Sequence, residues 1–491
     1  EPVPPIRGLV FVRKDRVLAE NLPAYQLELI PEQVDDIDDT LKRLAAINLI
    51  EFEDIPRIKE LSRSGPRFKP VTLKFRLTDE EIASFAIQRP RFPGVDFQPR
   101  LVRHYPDGEL ISHAVGYVGA LSTDDLQRLD PAAYAGTSHT GKTGVESSFE
   151  SDLHGDAGYR HLIANARGRQ VPSDTSELLD SLPFDETPMP GSNVYLSIDL
   201  DLQRIATQAL EGRRGALVAI DPQNGEILAL VSAPAFDPNL FAVGMSTAQY
   251  RELSENPDRP LFNRAVRGAY PPGSTIKPML ALAALEKNAT NLTRKTVCHG
   301  YFQLPNDDHR YRDWKPEGHG PVDLHDAIAQ SCDVYFYEIS GDIGIDTMHD
   351  YLTRFGLGSE TGVDIGGESS GLVPSREWKR NNFSDRDNQR WYHGETVIVS
   401  IGQGYMLATP LQLASAAAAL ATRGKRYRPH MIAAVEDALT GERRMVQPER
   451  LPDVEISNDF YWENVLGAMH DVMQGPRGTA RAVGFGAPYE M

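Results

Sequence analysis

Ser274 and Lys277 stand three residues apart in Tyr270-Pro271-Pro272-Gly273-Ser274-Thr275-Ile276-Lys277-Pro278, and such a pair can carry out acyl transfer. A serine hydroxyl becomes a nucleophile when a base takes its proton. Lysine can be that base once burial or a neighbouring cation lowers its pKa. Residues i and i+3 share a helix face, so Lys277 can reach the Ser274 hydroxyl if this stretch is helical. Apolar residues recur at Ile276, Met279, Leu280, Leu282 and Leu285 after the Pro271-Pro272-Gly273 stop. That spacing predicts a helix with Ser274 at its N-terminus and Pro278 tolerated in the first turn. Unpaired N–H groups and positive potential at such an end suit a developing oxyanion. The same serine could simply cap the helix, and Ser-x-x-Lys arises about once by chance in a chain this long. The pair therefore needs partners.

Ser331 and Asp333 are the candidates, in Leu324-His325-Asp326-Ala327-Ile328-Ala329-Gln330-Ser331-Cys332-Asp333-Val334-Tyr335-Phe336. Residues i and i+2 do not face each other on a helix. If both serve one site, the chain must break between two helices there. A serine acyl transferase needs such a polar pair to relay a proton and hold the lysine.

Two blocks must position these groups. In the first, Leu9-Val10-Phe11-Val12, Tyr25-Gln26-Leu27-Glu28-Leu29 and Arg100 to Tyr105 read as strands, with a turn at Pro106-Asp107-Gly108. Asp38 to Leu49 and Thr78 to Gln88 read as helices. Turn-rich, acidic sequence from Val171 to Asn193 marks a boundary, placed near residue 190. In the second block, strand Val194 to Ile198 leads to a helix with Leu202, Ile205, Ala206, Ala209 and Leu210 on one face. Ala216 to Ile220 and Ile227 to Val231 flank Asn224-Gly225, a strong hairpin signal, and these apolar strands are expected to be covered on both faces. Helices then dominate, including Met279 to Leu285 and Pro410 to Ala421.

Composition narrows the classes. The 491 residues are 41% apolar and 24% charged, ordinary for globular domains and long enough for at least two. A net charge of -18 argues against a nucleic-acid surface. No run of some 20 apolar residues spans a bilayer, and no signal peptide is visible. The opening Glu1-Pro2-Val3-Pro4-Pro5 suggests a piece of a longer chain, with room for an anchor ahead of it.

Ser-x-x-Lys followed by Ser-x-Asn/Asp resembles the penicillin-recognising serine enzymes. Pro5-Ile6-Arg7-Gly8, Ala265-Val266-Arg267-Gly268, Gly402-Gln403-Gly404-Tyr405 and Ala408-Thr409-Pro410 resemble the class B penicillin-binding transpeptidases. Tyr311-Arg312-Asp313-Trp314, Gly318-His319-Gly320 and Asp333 resemble their elongation-type branch, the penicillin-binding protein 2 group. The resemblance implies a multi-domain α+β fold. Residues 1–190 would be an elongated pedestal of the dimerisation type. Residues 191–491 would form a serine β-lactamase-like transpeptidase domain, a central antiparallel sheet with helices.

The same resemblance implies a peptidoglycan D,D-transpeptidase of cell elongation, on the periplasmic face of the bacterial inner membrane. Ser274 would be acylated by a stem peptide, Ser331 would relay protons, and Asp333 would contact Lys277 or the ligand. β-Lactams would acylate the same serine. A RodA-type glycosyltransferase and an MreC-type scaffold would bind, reached through the pedestal. The rival readings are a β-lactamase or D,D-carboxypeptidase, and a β-lactam sensor or non-catalytic elongation scaffold keeping the fold.

Lys142-Thr143-Gly144 spells the family's third motif but precedes Ser274, in what reads as a pedestal turn before a helix. Gly478-Thr479-Ala480 resembles the region shortly before the true third motif, and Lys-Ser/Thr-Gly itself does not follow before Met491. The C-terminal strands of the family fold are therefore expected to lie outside these residues.

Cys298, Asp313, His319 and Cys332 lie 15, 6 and 13 residues apart, and all four types bind zinc. Some members of the resembled group hold zinc near the active site with ligands aligning to these positions. A disulfide closing the Cys298–Cys332 loop would contribute about 3–4 kcal/mol, against roughly 10–16 kcal/mol for structural zinc in small peptides. Two buried free thiols are the third possibility. His299, Asp307, Asp308, His309 and His325 are substitute ligands.

Overall fold

A computed structural model describes residues 2–64, 67–161, 185–484 and 486–487, so Val171-Pro172-Ser173-Asp174 lies outside the described residues. The strand expected at Tyr25 to Leu29 is the end of a 13-residue strand. With β1 at Val10–Phe11, it forms β2 at Val17–Leu29, which has β1 on one side and then β3, Val71–Lys74, further along. Along its other side runs β4, Val95–His104, through ten paired positions. Helices α1, Ile37–Ala46, α2, Ile55–Ser64, and α3, Asp79–Gln88, close the outer lobe over Leu27 and Leu29. The Asp36 side chain caps α1, and Thr78 and Glu81 form a capping box on α3.

The large sheet does not stop at the expected junction. β5, Asn193–Leu196, pairs parallel with β1, and on its other side lies β9, Ile432–Glu436, followed by β10, Arg443–Met445. The order is β10-β9-β5-β1-β2-β3, with β4 also on β2. Strands from both blocks thus share one ladder, and their side chains share one core through Val10, Leu18, Val194, Leu196 and Ile432. Glu146, without solvent exposure, locks the start of the chain by accepting from Arg7 and Arg103 at 2.7 Å each.

After α4, Leu200–Ala209, come β6, Gly215–Ile220, and β7, Ile227–Ala233, the expected hairpin. Unlike the expectation for both strands, β6 is only half buried along its length, because among the described residues it pairs only with β7. The largest core is helical: α5, Lys277–Glu286, α6, Leu324–Ala329, α7, Asp333–Ile343, and α8, Ile345–Arg354. Further along, α9 is Pro410–Ala421 and α10 is Asp459–Met473, whose Trp462 and Val465 join that core. Every residue of α5 from Lys277 to Leu285 is buried, so the helix has no solvent face. No helix among the described residues is long and apolar enough to cross a membrane.

His113 sits where the two blocks meet, 7% exposed, its ring edge-on to Phe236 at 5.3 Å, its carbonyl accepting from Asn263. Burial pulls its pKa from 6.5 down to about 4. The unfolded chain therefore binds the proton first, and stability falls as pH drops from about 6.5 towards 4. The loss is roughly 3 kcal/mol at the lower end. Denaturant melts at pH 7.5 and 4.5 should show this loss in the wild type and a smaller one in His113→Asn.

Candidate active site

Gly273–Ile276 forms one tight 3-10 turn that runs directly into α5. The turn leaves Ser274 exposed, while Lys277 is 1% exposed at the start of the helix. The flanks are pinned: Tyr270 and Ala408 exchange backbone hydrogen bonds, and Gly273 N–H donates to Gly402. A Cβ on Gly402 would lie 2.2 Å from the Gly273 carbonyl oxygen, so only glycine lets the 402–405 loop touch the serine turn. The sequence shows Gly402-Gln403-Gly404 as a pattern but not this contact.

Ser331 lies between α6 and α7, at the helix break its spacing with Asp333 requires. Its φ of +54° is left-handed, a conformation costing a non-glycine residue about 1–2 kcal/mol. That geometry aims Ser331 Oγ at Ser274 Oγ, 2.9 Å away. Lys277 Nζ donates to Asp333 Oδ1 at 2.6 Å, to Ser331 O at 3.0 Å and to Ser331 Oγ at 3.2 Å. The structure therefore corrects one expectation: Lys277 meets Ser331, and Ser331 meets Ser274, with no direct Lys277–Ser274 hydrogen bond among the described residues. The cause is that Asp333 Oδ1, Ser331 O and Ser331 Oγ together take the three N–H groups of Lys277. The four groups form one hydrogen-bonded line, Ser274–Ser331–Lys277–Asp333.

Trp314 completes the wall. Its N–H donates to Asp333 Oδ2 at 3.3 Å and its indole N–H donates to Gln330 O and Ser331 O, both at 3.1 Å. The ring is nonetheless 57% exposed beside the serines, a role that sequence spacing does not reveal. Thr479 N–H donates to Ala329 O, so the 478–480 segment lies against the end of α6. Lys142 is elsewhere, ion-paired with Asp125 between β-strand His139–Gly141 and helix Gly144–Ser148.

Behind the second serine, Cys298, Asp313, His319 and Cys332 converge, with one donor atom of each within 4.8 Å of the others. Asp313 Oδ2 lies 3.5 Å from both sulfurs, Cys298 Sγ 3.5 Å from His319 Nδ1, and Asp313 Oδ1 3.6 Å from the same nitrogen. Ligand pairs around tetrahedral zinc stand about 3.3–3.8 Å apart, so these spacings fit. The cysteines are not bonded to each other. Burial pushes the Cys332 thiol well above its ordinary range, with Asp313 adding to the shift. Burial would also raise Asp313, but backbone N–H groups of Lys315 and Val334 outweigh it and hold the carboxyl below its usual range. Asp313 Oδ2 also accepts from the N–H groups of Asp333 and Val334, capping α7 from twenty residues away. His299, Asp307, Asp308, His309 and His325 do not join the group; His325 pairs with Asp471 instead.

Two family models match. The Penicillin binding protein transpeptidase domain covers residues 215–491, and the Penicillin-binding Protein dimerisation domain covers residues 2–196. Peptidoglycan D,D-transpeptidase MrdA of Acinetobacter baumannii is 42% identical over 98% of this chain and 69% of its own length. A crystal structure of Pseudomonas aeruginosa PBP2 in complex with WCK 5153 is 38% identical with a TM-score of 0.74, covering all of this chain and 84% of that one. A complex of PBP2 and MreC from Helicobacter pylori has a PBP2-type chain similar at a TM-score of 0.80 and 28% identity, covering all of this chain and 87% of that one.

Proposed function

The chain belongs to the class B penicillin-binding proteins, in the penicillin-binding protein 2 group, and from that premise we propose that it cross-links peptidoglycan as a serine D,D-transpeptidase of cell elongation. The observation that carries the mechanism is the line Ser274–Ser331–Lys277–Asp333. Ser274 Oγ attacks the carbonyl of the penultimate D-alanine of a stem peptide. Its proton has a path of one hydroxyl, Ser331, to the Lys277 amine. The peptide C–N bond breaks and the terminal D-alanine leaves as the protonated amine. An acceptor amine from a second stem then attacks the ester, gives up its proton along the same path and restores Ser274. Asp333 holds Lys277, and the exposed Trp314 face gives the aliphatic part of a stem an apolar surface beside the serines. A β-lactam acylates Ser274 and stays, since its leaving amine remains tethered.

Zinc is part of the same reading. Cys298, Asp313, His319 and Cys332 would hold it: two thiols that lose their protons on binding a metal, a carboxylate and an imidazole, packed in one site. Bound there, zinc supplies a structural cross-link between the 298–319 segment and the start of α7, without entering the acyl transfer. The protein acts at the periplasmic face of the inner membrane, with an MreC-type scaffold and a RodA-type glycosyltransferase meeting its pedestal. The named PBP2–MreC complex supports the first of these partners.

Release of D-alanine from a synthetic stem pentapeptide tests the function. The full-length protein should release it, form cross-linked dimer when an acceptor stem is added, and lose both with Ser274→Ala. Release that never gives dimer would favour a carboxypeptidase, and no release would favour the sensor or scaffold.

A further inference from the structure

Arg426 is a half-buried guanidinium that no acid answers. It lies on a short strand, β8, Arg426–Tyr427, paired with β11, Arg450–Leu451. Alternation along a strand puts Arg426 and Arg428 on one face and Tyr427 on the other, where the Tyr427 Cβ lies against Gly225. The arginine face turns to the loop at residues 356–362. A Cβ on Gly356 would sit 2.7 Å from Arg426 Nη2, and one on Gly362 would sit 3.3 Å from Arg428 Nε. Both guanidiniums thus lie close along the loop backbone. Between loop and strand is a cavity of about 280 Å³, which Ser415 and Thr361 also line.

Two arginines and two glutamates surround this cavity, but only one ion pair forms between them. Arg428 pairs with Glu449 at 2.9 Å at the rim. Glu360, also on the rim, is exposed and makes no ion pair with either arginine. Arg426 makes no side-chain hydrogen bond or ion pair among the described residues, and burial, with no countercharge, lowers its pKa. Thr361 Oγ1 is buried and also has no partner. Acids are not scarce in a chain of net charge -18, so the lack of a partner here is local. A desolvated cation and a desolvated hydroxyl each cost stability unless something accepts their hydrogen bonds.

We propose that this cavity binds a small oxyanion, a phosphate or carboxylate group held by Arg426 and Arg428 with Ser415 donating its hydroxyl. The three side chains are all able to donate, and guanidinium forks match the planar or tetrahedral oxygens of such groups. The volume admits one such group.

The test uses the full-length protein with inorganic phosphate, and with malonate as the carboxylate probe, at constant ionic strength set by sodium chloride. Titration calorimetry and thermal melts should show saturable binding of at least one probe to the wild type. Arg426→Gln should weaken that binding about tenfold or more. Ser415→Ala, which keeps both arginines, should weaken it by a smaller factor and serves if Arg426→Gln fails to fold. Phosphate binding without malonate binding assigns a phosphoryl ligand, and the reverse assigns a carboxylate. No saturable binding of either probe to the wild type overturns the proposal. So does equal binding by wild type and both variants. So does a loss of stability in Glu360→Gln matching that of Arg426→Gln with neither probe binding, since Glu360 would then answer the arginine.

Discussion

Lys277→Met should slow acylation of Ser274 by a labelled penicillin about 10²- to 10⁴-fold, the range that a positioned base contributes. Methionine fills the space along the Phe336 ring, over which Nζ lies at 5.4 Å, so the change removes the amine more than the packing. It also strands Asp333, 8% exposed, without its cation, which should cost about 3–5 kcal/mol. The double variant Lys277→Met/Asp333→Asn separates the effects. Its melting temperature should recover towards the wild type while its acylation rate stays low. Recovery of the rate with the stability would mean that Lys277 only holds Ser331 in place. Labelling time courses read beside thermal melts make the comparison.

If zinc occupies the proposed site, removing it should have the largest effect on stability. Cys332 is the residue between Ser331 and Asp333, and its backbone caps α7. A zinc held there ties the strained serine and the lysine's carboxylate to Asp313 and His319. Elemental analysis of native protein should find about one zinc per chain, and Cys332→Ser should lose it. Structural zinc is worth roughly 10–16 kcal/mol in small peptides. In a domain with its own helical core only part of that appears, so a fall of several kcal/mol is expected, with slower acylation as the serine loses its brace. Native protein without zinc, or a variant with unchanged zinc, would contradict the metal reading.

The chemistry was more legible than its geometry. Ser274 and Lys277 stand out by spacing once Ser331 and Asp333 join them, and the i, i+2 relation of that second pair requires a helix break if both serve one site. The direct Lys277–Ser274 contact expected from i, i+3 is absent because Asp333 and Ser331 take all three N–H groups of Lys277. No periodicity encodes that, nor the φ of Ser331 that brings its hydroxyl between them. Helix α5 reads as amphipathic from its large residues, yet Ala281, Ala283 and Ala284 bury its remaining face. The large sheet was harder to foresee. Val194 pairs with both Val10 and Val435, partners hundreds of residues apart, and local sequence carries no register for such neighbours. The contact of Gly402 with Gly273 is hidden for the same reason.

Peptide mapping by mass spectrometry after incubating the full-length protein with benzylpenicillin tests the central claim most directly. One stable penicilloyl adduct per chain is expected, on the peptide carrying Ser274 and on that residue, and absent from Ser274→Ala. An adduct on Ser331, an adduct that persists in Ser274→Ala, or hydrolysis too fast to leave any adduct would contradict Ser274 as the nucleophile of a transpeptidase.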